Sequence, residues 1–115
     1  QDTLNFSLCR AGWIADYLDP NTFLEIFVTG GGNNDTGWSN ARYDALRAAA
    51  LAAPTDEERF RIYAEMEAIL MEELPVLPLY HYTRIHLVHT SVEGYHPTLL
   101  DNHPWKYVGL TKPSP

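Results

Sequence analysis

A single cysteine, Cys9, stands among 115 residues, so no disulfide framework can form within the chain. It says nothing about compartment, because a pairing partner can lie on another segment. Cations are scarce too: eight Lys and Arg against fifteen Asp and Glu leave a net charge of −7. Nucleic-acid binding needs clustered Lys and Arg on phosphates, and that composition excludes it. No apolar run nears the roughly eighteen residues of a membrane span. A signal peptide and an initiator methionine are lacking and the chain opens mid-pattern, as expected of a mature or partial chain. What is present, 45% hydrophobic residues with three Trp, is enough for one globular core.

The stretch Arg10-Ala11-Gly12-Trp13-Ile14-Ala15-Asp16-Tyr17-Leu18-Asp19-Pro20 holds a cation, an indole and acids close together. Residues 3–10 before it read as a strand. Asp19-Pro20 suits a helix start, with Asp as cap and Pro in the first turn. The segment is therefore a strand-to-helix connection, where open α/β sheets bind ligands. Gly12 allows a backbone or a ligand to come close.

Further on, Phe23, Leu24, Ile26 and Phe27 give a short helix of about two turns. Residues 29–37 hold three consecutive glycines, but no Gly-Lys-Ser/Thr follows and no terminal Glu completes a calcium loop. They read as a mobile surface loop. Ser39 or Asn40 caps a helix over about 40–53 with Tyr43, Leu46, Ala50 and Ala53 inward. Thr55-Asp56-Glu57-Glu58 is a capping box for a helix running to about Glu73. Glu65, Glu67, Glu72 and Glu73 have no His three or four residues on, so they read as a solvated face. Residues 79–88 have strand composition with a break at Thr83-Arg84, and 105–110 read as a last short strand.

These residues resemble the extracellular oligopeptide- and dipeptide-binding family that feeds ABC importers (solute-binding family 5). The family pattern is a strand, Gly-Trp-x-x-Asp-(Tyr/Asn)-x-x-Pro, then a helix. Here it reads Gly12-Trp13-Ile14-Ala15-Asp16-Tyr17-Leu18-Asp19-Pro20. Tyr43-Asp44, the run Leu74-Pro75-Val76-Leu77-Pro78-Leu79-Tyr80, and Val92-Glu93-Gly94-Tyr95 fit in the same order. The resemblance implies an α/β chain, the C-terminal part of a two-lobed periplasmic-binding-protein fold (type II), with three helices and about four short strands. Residues 1–83 would belong to the peptide-binding C-terminal lobe, and 84–115 to a hinge crossing and strands returning to the N-terminal lobe.

The resemblance further implies that Asp16 holds the α-ammonium of an extended peptide; read alone, Asp16 is also a turn-stabilising acid. Trp13 is a flat wall for a ligand side chain or a core indole. The backbone around Gly12, Ile14 and Ala15 can add a peptide strand. Ile14 stands where some relatives carry Cys, so a disulfide there is absent. Arg10 matches a pocket arginine or makes an outward ion pair, and Tyr82 matches a pocket tyrosine or is a strand aromatic. The expected partners are a peptide ligand, an ABC permease, and the remainder of the same protein or a second copy. The place the resemblance implies is periplasmic or extracellular, and a lipid anchor on the full-length protein would be compatible with it.

Five histidines raise the question of metal. His86 and His89, three apart in a strand, would face opposite ways, and His81, His89 and a later His would meet only through tertiary folding. No metal site and no cofactor are expected. Ser7 or Cys9 with any histidine lacks a nucleophile motif, so the chain reads as a non-enzyme. The rival readings are a stand-alone interaction module and a histidine-based metal binder.

Overall fold

The computed structural model describes residues 6–98 and 100–111. The chain divides into two compact units, Gln1–Pro78 and Leu79–Pro115.

In the first unit, helix formation follows local chemistry closely. Asp19 Oδ1 accepts the Asn21 N–H at 2.9 Å and starts α1, Asn21–Leu24, which runs into a 3-10 turn at Glu25–Phe27. Asn40 accepts the Tyr43 N–H at 3.0 Å and caps α2, Ala41–Ala52. Thr55 accepts the Glu58 N–H at 3.2 Å and caps α3, Asp56–Glu73. Three acids in the first turn of α3 complement its positive end. The capping box is half made: the Glu58 carboxylate turns to Arg61, 2.8 Å away, rather than back to the cap. Leu74 ends α3 in the left-handed conformation, φ 47°, with its N–H on the Leu70 carbonyl. Pro75 then forbids continuation.

The apolar faces of α2 and α3 make the core. Tyr43, Ala50, Ile62, Tyr63, Met66, Ile69 and Leu70 are buried with Leu24 of α1, and Phe27, Trp38, Leu46 and Ala53 pack around them. The Tyr43 hydroxyl donates to the Leu24 carbonyl at 2.7 Å, tying α1 to α2 inside that core. Glu73 is engaged rather than merely solvated. It accepts from Trp38 Nε1 at 2.6 Å and Asn40 Nδ2 at 2.7 Å, clasping the entry of α2 to the end of α3. The glycine-rich loop is likewise organised, with Asn34 Nδ2 donating to the carbonyls of Val28 and Trp38.

In the second unit, β1, Val92–Glu93, pairs antiparallel with β2, Gly109–Leu110, Val92 facing Leu110 and Glu93 facing Gly109. A 3-10 turn at Trp105–Tyr107 leads into β2, so only the end of the expected 105–110 strand forms. Gly94 has φ +74°, and a Cβ there would lie 1.9 Å from the Tyr107 carbonyl oxygen. Gly94→Ala is accordingly expected to open the β1–β2 pair, seen as lost hydrogen-exchange protection at the Thr111 amide, which donates to Ser91 O at 2.8 Å.

The α/β composition and three helices stand, but two strands form among the described residues instead of about four. Of the expected strand at 3–10, residues 3–5 lie outside the described residues, and 6–10 adopt no regular structure. Residues 79–88 do not form a strand either. Strand propensity needs a ladder partner to become a strand. Among the described residues neither stretch has one, and both stay exposed, Leu8 at 94% and Leu87 at 99%.

Candidate functional site

The turn at 12–19 is held from below by α1 and α3. Thr22, fully buried, accepts the Asp16 N–H on Oγ1 at 3.0 Å and directs its own hydroxyl toward Asp16 Oδ2, 3.5 Å away. Tyr17 donates to Glu25 Oε1 at 2.9 Å and accepts from Asn21 Nδ2 at 2.6 Å, and Arg47 pairs with Glu25 at 3.1 Å. Burial, with Glu25 beside it, raises the Tyr17 phenol above its ordinary pKa. Asp19 closes the far end. Beyond capping α1, its Oδ1 accepts from Tyr63 Oη at 3.1 Å and its Oδ2 pairs with Arg59 at 3.0 Å. Burial first, and the Asp19 bond second, push the Tyr63 phenol up to about 12. Sequence reasoning made Asp19 a simple cap; its partners on α3 lie forty residues or more along the chain, so no local pattern signals them.

The upper surface of this turn is open. Asp16 is exposed, one oxygen turned to Thr22 and Oδ1 without a hydrogen-bond partner among the described residues. Trp13 is 39% exposed and Ile14 59%, with Tyr17 and Leu18 beside them. Ala15 is half-buried. Arg10 is exposed and makes no ion pair with the described residues. A Cβ on Gly12 would meet nothing within 4 Å, so packing within the described chain does not require glycine there. The result is an exposed acid among exposed apolar side chains.

Tyr82 lies in the second unit, 72% exposed, its ring 6.0 Å from that of Tyr80. An open depression of about 380 Å³ runs along Tyr82, Thr83, Arg84, Ile85 and His86. In the same unit His86, Asp101 and His103 converge, each offering one donor atom within 4.8 Å of the others. Sequence reasoning weighed His86 with His89, and His81 and His89 with a later histidine, but not His86 with His103. The strand expected around His86 does not form, and the His86 and His103 ring centroids lie 5.6 Å apart. The hydrogen bond from His103, with Arg84 adding its charge, holds the Asp101 carboxyl below its usual range.

No helix among the described residues is long and apolar enough to cross a membrane. No family model matches the chain. It is similar to the dipeptide-binding protein DppE of Bacillus subtilis, 36% identical over 110 residues, which is 96% of the chain and 19% of that protein. It is also similar to the periplasmic murein peptide-binding protein MppA of Escherichia coli, 36% identical over 95 residues, 83% of the chain and 18% of that protein. The oligopeptide-binding protein OppA of B. subtilis is 34% identical over 91 residues, 78% of the chain and 17% of that protein. The chain thus spans about a fifth of the length of these relatives.

Proposed function

This chain is homologous to one segment of the oligopeptide- and dipeptide-binding proteins of solute-binding family 5, and from that premise we propose that it is part of a receptor that captures extended peptides. In this reading Asp16 takes the peptide's amino end. The backbone from Gly12 to Ala15 pairs with the peptide as an added strand, an affinity source blind to ligand sequence. Trp13 and Ile14 flank the ligand's side chains, with bridging waters adapting to their variety. Arg10 and Tyr82 lend polar contacts.

The observation that carries this reading is the geometry of Asp16. Its backbone and one oxygen are fixed by a buried threonine while the other oxygen and the neighbouring apolar strip face outward. Magnitude decides what else is needed. An ammonium on a carboxylate bathed in water is worth about 1 kcal/mol or less. With water excluded, a charge-assisted hydrogen bond contributes roughly 1.5–3 kcal/mol. A second body must therefore close over the turn, which fits a second lobe carried by the rest of the protein. The open space at Gly12 then gives that body or the peptide room to approach.

Residues 1–83 would belong to one lobe and 84–115 would cross toward the other, hinging near Thr83-Arg84. The unpaired stretches at 6–10 and 79–88 would find ladder partners in the remainder of the protein, and without it they favour self-association. The closed form would be delivered to an ABC permease from the periplasm, with the full-length protein lipid-anchored. Capture requires no chemistry on the ligand, so the protein would act as a binder and not as an enzyme.

The test is isothermal titration of the full-length protein with a short unmodified peptide. Asp16→Asn keeps the shape and the contact with Thr22 but removes the charge, and it is expected to weaken binding about tenfold or more. Unchanged affinity would remove Asp16 from the site.

A further inference from the structure

We infer that His86, His103 and Asp101 form a divalent-metal site of the class that takes zinc. Their donor atoms already lie within 4.8 Å of one another, and all three residues belong to the second unit. Two imidazoles and a carboxylate are a donor set suited to zinc or a neighbouring first-row ion.

Both ring nitrogens of His103 have a polar neighbour. Its Nδ1 lies 3.3 Å from the His96 carbonyl oxygen and its Nε2 lies 2.8 Å from Asp101 Oδ1. Metal-bound histidines ordinarily keep their ring proton on the nitrogen facing a carbonyl, which fixes the ring and turns the other lone pair to the ion. With His103 so arranged, its Nε2 and Asp101 Oδ1, 2.8 Å apart, are two donor atoms that one bound ion would share.

The surroundings add to this. The Tyr95 hydroxyl lies 2.9 Å from His86 Nδ1 and 3.4 Å from His103 Nε2, one phenolic proton for two acceptors. Tyr95 stacks on the His103 ring, centroids 4.7 Å apart, holding it in place. Asp101 sits at φ 57°, a conformation that non-glycine residues adopt at some cost and that concentrates at binding sites. Arg84 occupies the other carboxylate oxygen, Oδ2, at 2.5 Å, leaving Oδ1 to the ion. Zinc bonds of about 2.0–2.2 Å place neighbouring donors about 3.4 Å apart. The Asp101–His103 contact therefore opens by about half an ångström on loading, and exposed His86 moves in to complete the set.

The site is independent of peptide capture, so its test uses no peptide. Titration of the full-length protein with Zn²⁺ near neutral pH is expected to show one ion bound at roughly micromolar concentration or below. Each of His86→Ala, His103→Ala and Asp101→Asn should weaken it about tenfold or more, while His81→Ala with His89→Ala leaves it unchanged. Co²⁺ in place of zinc should give a visible absorption band that the ligand variants lose. Arg84→Met removes a competing positive charge and is expected to tighten zinc several-fold, a gain that misfolding cannot produce. Absence of zinc binding, or binding that survives in both His86→Ala and His103→Ala, overturns the site.

Discussion

Met66→Ala is expected to destabilise the first unit by about 2–5 kcal/mol, the range for emptying a buried side chain that its neighbours cannot fill. Met66 has no exposed surface and lies among Ile62, Tyr63, Ile69 and Leu70 of α3, against α2. Both helices are internally well capped, so the structure around the void has little freedom to collapse. Met66→Leu keeps the volume and should cost less than about 1.5 kcal/mol. Urea unfolding midpoints of the three proteins measure the difference. Equal midpoints for Met66→Ala and the parent would mean that α2 and α3 do not share this core.

The second large effect is expected at Asp19. Replacing it with alanine removes the α1 cap, worth about 1 kcal/mol, and leaves the buried Tyr63 hydroxyl without its acceptor, worth about 1–3 kcal/mol. The ion pair with Arg59 is partly exposed and adds less than about 1 kcal/mol. These contributions share one side chain and do not sum simply, so a loss of about 2–4 kcal/mol is expected. Asp19→Asn retains a side-chain oxygen for the cap and the phenol, and should lose only about 1 kcal/mol. A chemical-denaturation series over the two variants separates these contributions. If alanine and asparagine were equally costly, the charge rather than the cap and the phenol would be what Asp19 supplies.

The contrast between these residues and the candidate site shows where sequence is informative. Asn40 and Thr55 were legible as caps because the group each satisfies lies three residues away. Tyr43 and Ala50 were legible as core because helical spacing places them on one side. The stretches 6–10 and 79–88 were not, because a strand is a property of a pair and their composition names no partner. Asp19 and Glu73 were undervalued for a related reason: Tyr63, Trp38 and Asn40 reach them through the fold rather than along the chain. His86 and His103 meet only because residues between them turn back. The Gly-Trp-x-x-Asp motif marked the turn at Trp13 and Asp16, but not the threonine six residues on that holds it.

In the proposed receptor the open oxygen of Asp16 receives a peptide's amino group. The most direct measurement is a two-by-two titration of the full-length protein, parent and Asp16→Asn, against one peptide with a free and with an acetylated amino end. Acetylation is expected to weaken binding to the parent about tenfold or more and to change binding to Asp16→Asn little, a coupling between the two groups. Equal losses in both proteins, or no loss in either, would contradict it.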